Sequence, residues 1–255
     1  MSNHDRMSPE VKTVNAVEYR HVRMDYGEKT VIRDFSLAIQ KGEFVTIIGS
    51  SGCGKTTILK MANALILPTA GEVLIDGQNV RETDLIQLRR NTGYAIQGSV
   101  LFPHMTVEKN IAFVPNLLNK SDKERTRRAV RKWIEIVGLE ESMLPRYPDQ
   151  LSGGQQQRVG IARALAASPE LLLMDEPFGA VDEITRASLQ DEMIRIHRET
   201  GITILFVTHD IHEALKLGSK VLVMDGGEAL QYAAPEEIRS SPANAFVKSL
   251  LARVV

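Results

Sequence analysis

The sequence lacks the features of a secreted or membrane-spanning chain. It has one cysteine, Cys53, which excludes an internal disulfide and favours a reducing compartment. Its apolar runs, such as residues 171–174, are strand-sized, whereas a membrane helix needs about 18 apolar residues in a row. The first residues are polar, with no apolar segment of the kind found in a signal peptide. We therefore expect the protein to stay inside the cell without itself crossing a bilayer.

The sequence also has almost no net charge. Its 31 Lys and Arg residues stand against 32 Asp and Glu residues, a formal charge of −1. There is no basic excess to hold a phosphate backbone, so a general nucleic-acid binder is disfavoured. Charged residues make up 25% and hydrophobic residues 43% of the 255 positions. This is the composition of an ordinary globular protein with a core of its own.

Several short apolar runs are rich in strand-forming residues and end in glycine or a polar residue. Strands that are apolar on both faces are typical of a parallel sheet. Helical patterns separate the runs; one begins after Asp182, keeps Leu189, Met193 and Ile196 on one face, and stops at Gly201. We predict an α/β fold with a mainly parallel central sheet and its chemistry at the carboxyl ends of the strands. The runs cover residues 44–48, 171–174, 203–207 and 221–224.

Two other regions depart from this alternation. Residues 16–39 indicate two strands around a turn at 26–29, and residues 72–75 indicate a further strand. Together they predict an antiparallel β subdomain near the N-terminus. Residues 98–168 have helical patterns and are predicted to form a helical subdomain inserted into the sheet domain. There Ser121 and Glu124 predict a capping box, followed by an apolar stripe. The stripe consists of Val130, Trp133, Ile134 and Val137.

Residues 49–56 (GSSGCGKT) match the phosphate-binding loop G-x-x-x-x-G-K-[ST], with an apolar strand before them and a helical pattern after them. The glycines let backbone N–H groups face phosphate oxygens, and the helix N-terminus adds partial positive charge. Lys55 is expected to reach the β- and γ-phosphates, and the Thr56 hydroxyl to hold Mg²⁺. The alternative is a glycine-rich turn with a surface lysine, which the flanking elements disfavour.

Two further motifs suggest phosphate chemistry. The run at 171–174 delivers Asp175 and Glu176 at its tip; the first suits Mg²⁺, and the second suits an attacking water. Residues 151–155 (LSGGQ) open a helix with Ser152 as N-cap, and their two glycines allow close approach of a ligand. A second phosphate site in one chain is redundant unless it serves another subunit's nucleotide. A capped helix with a flexible entry is the alternative.

These motifs together resemble the ATP-binding subunits of ABC transporters, from about residue 15 to residue 250. The resemblance extends to Gln97, to residues 179–182 (GAVD) and to His209 in the stretch VTHD. It implies a single P-loop domain, with a core at about 12–97 and 169–255 and the helical subdomain at about 98–168. It also implies ATP and Mg²⁺ as ligands and a head-to-tail dimer that sandwiches two ATP molecules. An integral membrane permease would place the chain at the cytoplasmic face of the inner membrane.

The resemblance assigns a role to each matching residue. Tyr26 would stack on adenine, Glu176 would be the base, His209 would hold the γ-phosphate, Gln97 would sense the permease, and Asp182 would couple the two sites. The implied catalytic residues are Lys55, Gln97, Glu176 and His209. The implied Mg²⁺ contacts are Thr56, Gln97 and Asp175. The implied nucleotide contacts are Tyr26, Gly49, Ser50, Ser51, Gly52, Cys53, Gly54, Lys55, Thr56, Thr57, Ser152, Gly153, Gly154, Gln155 and Asp182.

Several of these residues have other interpretations when taken alone. Tyr26 is also compatible with an ordinary strand aromatic, and Asp182 with a helix N-cap. His209 and His212 are spaced like a metal pair, but no further ligand completes a tetrahedral site. Cys53 is either a thiol activated by the loop or a small filling side chain. The basic residues at 123–132 favour a solvated helix face over attraction to lipid headgroups, and residues 100–105 are expected to be partly exposed for partner contact.

The cargo is predicted from finer similarities. Residues 94–97, 177–186 and 190–193 resemble the importers of glycine betaine, choline or carnitine, which also use an extracytoplasmic solute-binding protein. Many of those ATPases carry a C-terminal pair of CBS domains, for which this chain leaves no room, so their regulation is not expected here. The alternatives are an importer ATPase for an amino acid, another amine or a lipid, and an ABC ATPase without a transport role.

Overall fold

The computed structural model describes residues 15–95, 101–119 and 122–252. The strands are β1 (Asn15–Tyr26), β2 (Lys29–Gln40), β3 (Phe44–Gly49), β4 (Ala70–Ile75), β5 (Gln78–Asn79), β6 (Thr92–Ala95), β7 (Leu171–Asp175), β8 (Thr203–Val207), β9 (Lys220–Asp225) and β10 (Glu228–Ala233). The α-helices are α1 (Lys55–Ala62), α2 (Leu85–Asn91), α3 (Val107–Ile111), α4 (Phe113–Leu118), α5 (Lys123–Ile136), α6 (Gly153–Leu165), α7 (Glu183–Thr200), α8 (Ile211–Leu217), α9 (Pro235–Ser240) and α10 (Ala245–Leu251). Short 3₁₀ helices cover Glu141–Met143 and Pro148–Gln150.

A six-stranded sheet forms the centre of the fold, in the order β10-β9-β3-β8-β7-β6. All its pairings are parallel except that of β10 with β9, which confirms the predicted mainly parallel sheet. All five residues of β7 and of β8 are buried, as expected for strands covered on both faces. Because Val207 pairs with both Ile47 and Asp175, the carboxyl ends of β3, β7 and β8 meet at one edge. That edge carries the predicted chemistry.

A second sheet, in the order β2-β1-β4-β5, is antiparallel throughout. The turn between β1 and β2 contains Gly27, whose φ of 60° is the left-handed conformation that glycine adopts without strain. Tyr19 and Phe35 are fully buried between this sheet and α1, and the Tyr19 hydroxyl donates to the Ile58 carbonyl at 3.0 Å. The predicted N-terminal antiparallel sheet is therefore confirmed.

Between the central strands β6 and β7 the described chain is helical. The predicted stripe on α5 is buried, from Val130 at 2% exposure to Val137 at 1%, and it packs in one cluster with α3 and α6. The predicted cap of α5 was wrong. Asp122 is the N-cap, because its carboxylate accepts the Arg125 N–H at 2.8 Å, and Ser121 lies outside the described residues. The six basic side chains of α5 are exposed, in agreement with a solvated face.

The last two helices pack back onto the sheet. Ile238 is fully buried, and Phe246 and Leu250 are partly buried against β9 and α8. Helix α7 also follows the prediction: Asp182 caps its start and Gly201 ends it with a φ of 64°. Within the described part of the chain, no helix has the length and hydrophobicity that a membrane crossing requires.

Candidate nucleotide-binding site

The loop between β3 and α1 requires glycine at several positions. Gly49, Gly52 and Gly54 have φ values of 156°, 76° and 105°. A Cβ on Gly49 would lie 2.0 Å from the Met224 carbonyl oxygen, so backbone packing alone excludes any larger residue there. No atom lies within 4 Å of a Cβ placed on Gly52, whose open side faces the cleft. The loop is thus fixed on one side by the sheet and open on the other.

Lys55 and Cys53 lie inside this loop. The Lys55 ammonium donates to the carbonyl oxygens of Gly49 at 3.0 Å and Ser50 at 2.8 Å. The Cys53 thiol is 4% exposed and its Sγ lies 4.0 Å from Lys55 Nζ, which fits a small side chain that fills the loop from below. The reactivity of the Cys53 thiol stays a prediction. A thiol this deeply buried would react only slowly with a reagent from solution.

Predicted residues at the ends of four strands, β1, β3, β7 and β8, line one cleft of about 540 Å³. Tyr26 stands at the end of β1 with 46% of its surface exposed, where its ring is free to stack on a flat ligand. The phosphate loop forms the floor, and Glu176 and His209 stand at the far wall. Other lining residues are Lys29, Val31, Gly49, Ser51, Gly52, Gly54, Lys55, Thr56 and Thr57.

Thr56 and Asp175 meet at the base of this cleft. Burial and the charge of Glu176 raise the pKa of Asp175 above its usual value, although a hydrogen bond from the Thr56 hydroxyl and the positive charges of Lys60 and Lys55 act to lower it. A hydroxyl and a carboxylate side by side are the oxygen ligands that Mg²⁺ takes beside nucleotide phosphates, so this pair fits the ion. The third predicted ligand, Gln97, lies outside the described residues.

Glu176 is held in an uncommon backbone conformation. Its φ of 46° lies in the left-handed region, where residues with a Cβ are strained by about 1–3 kcal/mol. Its N–H donates to the Val207 carbonyl at 3.0 Å, and its carboxylate Oε2 lies 3.3 Å from His209 Nδ1. The structure therefore brings together the two residues that were predicted to act on the γ-phosphate. No group of three or more His, Cys, Asp or Glu among the described residues has metal-site geometry, which leaves the His209–His212 pair without further ligands.

The LSGGQ segment forms the start of α6 and lies outside the cleft. Ser152 accepts the Gln155 N–H at 3.3 Å, and the Gln155 side chain accepts the Ser152 N–H at 2.9 Å, which is a capping box. A Cβ on Gly153 would meet no atom within 4 Å, whereas one on Gly154 would lie 3.1 Å from the Ala180 carbonyl oxygen. The helix start is therefore open on one side, and none of residues 152–155 lines the nucleotide cleft.

Two contacts tie α6 to the residues that follow β7. The Asp182 carboxylate caps α7 by accepting the Thr185 N–H at 3.0 Å; this bond, together with the charge of Arg158, holds its pKa below the usual range. The Gln157 side chain, 4% exposed, donates to the Glu176 carbonyl at 3.3 Å and accepts the Ala180 N–H at 2.9 Å. Sequence reasoning missed Gln157. Its position four residues before the buried Ile161 was a signal, because it places an amide on the core face of α6.

A strand, a phosphate loop and a helix in succession, with an acid at the tip of another strand of the same sheet, define a P-loop nucleoside triphosphatase, and the chain has that fold. Residues 32–179 match the family described as ABC transporter. A carnitine transport ATP-binding protein (OpuCA) of Listeria monocytogenes is 49% identical over 238 residues, 93% of this chain and 60% of the relative. A glycine betaine uptake system ATP-binding protein (YehX) of Escherichia coli is 48% identical over 93% of this chain and 77% of the relative. The chain belongs to the ABC transporter ATP-binding family.

Solved structures agree with this assignment. A dimeric bacterial ABC transporter cassette, MJ0796, has a TM-score of 0.79 and 36% sequence identity, covering 86% of this chain and 98% of that one. The same cassette has been solved as a dimer in a post-hydrolysis state with ADP and phosphate, at 34% identity and the same TM-score of 0.79. The predicted fold class is therefore confirmed. The chain spans about 60% of the length of the carnitine transport ATP-binding protein OpuCA.

Proposed function

We propose that this chain is the ATP-hydrolysing subunit of an importer for a quaternary-amine osmoprotectant such as glycine betaine, carnitine or choline. The convergence of the phosphate loop, the Thr56–Asp175 pair and the Glu176–His209 pair at one cleft carries the ATPase part of the proposal. The cargo part is supported by the names of relatives that are 48% and 49% identical. An importer for another solute, such as an amino acid, remains the second candidate for the cargo.

The residues of the cleft bind the nucleotide from base to γ-phosphate. Tyr26 stacks on the adenine, and the N–H groups of the loop with those of the first turn of α1 surround the β- and γ-phosphates. Lys55 turns its ammonium from the loop carbonyls to these phosphates. Thr56 and Asp175, with Gln97, would hold Mg²⁺, which would neutralise charge on the phosphate oxygens. Ser50, Ser51 and Thr57 complete the cradle.

Glu176 is the base in the proposed reaction. Its carboxylate orients a water molecule toward the γ-phosphate and takes its proton as the new bond to phosphorus forms and the bond to the departing ADP oxygen breaks. His209, 3.3 Å away, holds the carboxylate in place and contacts the γ-phosphate from the other side. Phosphoryl transfer needs little beyond such positioning and charge stabilisation, so these few groups suffice.

Each site needs a second copy of the chain. Residues 152–155 present an accessible helix start that does not face their own cleft. Two copies packed head to tail place that helix start against the partner's γ-phosphate, and Asp182 then links the two sites. ATP closes this dimer because it binds the closed form more tightly, and hydrolysis reopens it.

A cleft of about 280 Å³ between α2, α4 and α6 is the proposed permease contact. The rings of Phe102 and Phe113 contact each other there at a tilt of 45°, with centroids 4.8 Å apart. Burial raises the pKa of Tyr94 to about 12, so its hydroxyl keeps its proton and stays a hydrogen-bond donor. The Tyr94 hydroxyl and the Asn63 Oδ1 are both buried without a hydrogen-bond partner. A short permease helix with polar groups would satisfy both. Movement of a helical subdomain at 98–168 against the core would transmit dimer closure to it, at the cytoplasmic face of the membrane.

The first experiment is a Glu176→Gln substitution. ATP turnover should fall by about a hundredfold or more, and the variant should form a stable ATP-bound dimer on a sizing column. Glu237→Gln, an exposed change on α9, is the matched control and should behave like the wild type. A Glu176→Gln variant that stays monomeric with full turnover would refute the ATPase proposal.

The second experiment tests the cargo. The chain is reconstituted with the membrane permease and solute-binding protein of the same importer, and uptake of betaine, carnitine, choline and amino acids is measured. Copurification with nucleic acid instead of a membrane protein would contradict the importer role.

A further inference from the structure

A small cavity adjoins Glu176 and His209, and the charged side chains of Arg186, Asp210 and Glu213 also line it. The cavity measures about 60 Å³ and is lined by Arg186 and Glu213 together with Thr208 and both site residues. Glu213 is 7% exposed, and the Arg186 Nε is buried without a hydrogen-bond partner. Burying charge costs free energy unless an opposite charge compensates. The pair therefore needs a role that the proposed reaction does not yet give it.

Glu213 holds the segment that carries His209. Its carboxylate accepts a hydrogen bond from the Thr208 hydroxyl and another from Gln190 Nε2 at 3.0 Å. Thr208 directly precedes His209, is 2% exposed, and accepts the Asp210 N–H at 3.0 Å through the same hydroxyl. Through the Thr208 hydroxyl, the Glu213 side chain thus supports the backbone on both sides of His209.

Arg186 holds the segment that carries Asp182. Its Nη2 donates to the Val181 carbonyl at 3.0 Å, one residue before Asp182. Its charge acts on the Glu213 carboxyl, whose pKa is raised by burial and by Asp210 and lowered by Thr208, Gln190 and Arg186. The two side chains line the same cavity, where Glu213 holds the segment that carries His209 and Arg186 holds the segment that carries Asp182.

We infer that Arg186 and Glu213 are positioning residues that hold the His209 and Asp182 segments in a fixed relation to Glu176. This inference rests on the proposed ATPase function. Neither residue lines the nucleotide cleft itself. Their loss should therefore reduce the rate of the chemical step and leave nucleotide binding unaffected.

The test compares turnover and nucleotide affinity in variants of the full chain. Glu213→Gln keeps the size and an acceptor atom but removes the charge, so kcat for ATP hydrolysis should fall about tenfold, while KM should stay within about twofold. Arg186→Met should give the same pattern, and Arg186→Lys, which keeps the charge and a donor for Val181, should recover part of the rate. The double variant should lose no more than the worse single variant, because the two residues act as a unit.

Lys216→Met is the matched control. Lys216 donates to Gln190 Oε1 at 3.1 Å from the solvent side of the same network, and its loss should leave kcat and KM unchanged. An additive double variant, a raised KM with normal kcat, or a normal kcat in Glu213→Gln would overturn the inference. Each variant is first checked for a wild-type melting temperature.

Amide hydrogen exchange separates this inference from the proposed function. In nucleotide-free protein, residues 176–182 and 207–213 should exchange faster in Glu213→Gln than in the wild type, and residues 123–136 should not change. Unaltered exchange in both segments would overturn the inference even if turnover falls. A wild-type chain without ATP turnover would refute the proposed function, and the exchange result would still decide whether the pair positions the two segments.

Discussion

Helices α1 and α6 both have glycines at their N-terminal ends, and they begin in opposite ways. Helix α1 follows Gly54, which has no side chain to cap it, so its first N–H groups are free to face a ligand. Helix α6 follows Ser152, whose side chain already occupies one of these donors. The first start lies inside a cleft with an ammonium beside it, and the second stands open on the surface. The start of α1 faces a cleft formed by its own chain. In the proposed function, the start of α6 faces the nucleotide of a partner subunit.

The largest effect should come from removing the ammonium at the first start. Lys55→Ala should lower ATP turnover by about a hundredfold or more, because charge stabilisation at the γ-phosphate is lost. ATP affinity, measured by titration with a fluorescent analogue, should fall as well. Lys60→Ala, one turn further along the same helix, is the control and should bind ATP normally. Equal binding in Lys55→Ala and the wild type would show that α1 is not the phosphate site.

A change at the second start should separate folding from function. Gly153→Ala places a methyl group where no atom lies within 4 Å and adds helix propensity, so the free energy of unfolding should stay equal or rise by up to about 1 kcal/mol. Turnover should nevertheless fall about tenfold, because the partner's phosphate approaches that surface. Gly160→Ala, on the same helix and also with no atom within 4 Å of its new Cβ, should gain stability without losing activity. Full turnover in Gly153→Ala would mean that this start serves no nucleotide.

The smallest effect should come from the cap itself. Ser152→Ala removes the acceptor of the Gln155 N–H and should cost about 1 kcal/mol of unfolding free energy. Urea denaturation of the monomer measures this loss. Ser142→Ala, whose hydroxyl bonds the partly exposed Glu140 side chain in a 3₁₀ turn, should cost less than Ser152→Ala. A loss at Ser152 no larger than at Ser142 would show that the cap adds nothing to α6.

The sequence predicted those parts of the fold that local pattern determines. The apolar runs before Gly49, Asp175 and Thr208 became neighbouring parallel strands, and the order of those strands brought Lys55, Glu176 and His209 to one cleft. The cap of α5 was mispredicted because two adjacent residues, Ser121 and Asp122, both suit an N-cap by type. Residue type alone did not distinguish them.

Parts of the site that depend on long-range contacts were not predicted. Gln157 bonds to residues 19 and 23 positions away, and Glu213 bonds to Gln190 across 23 positions. No spacing rule connects such residues, since the contact exists only after α6, α7 and α8 have packed against the sheet. The depth of Cys53 likewise follows from the curvature of the loop, which turns its side chain inward to 4.0 Å from Lys55 Nζ.

The left-handed backbone at Glu176 has a consequence for how this protein tolerates mutation. A glycine would relieve the strain at this position, at a gain of roughly 1 kcal/mol, so the most stable chain and the working chain differ here. Selection for robustness alone would therefore replace the residue that the proposed chemistry needs most. At Glu176 the free energy of unfolding is lower than the fold would allow with glycine, and the carboxylate that lines the cleft is retained.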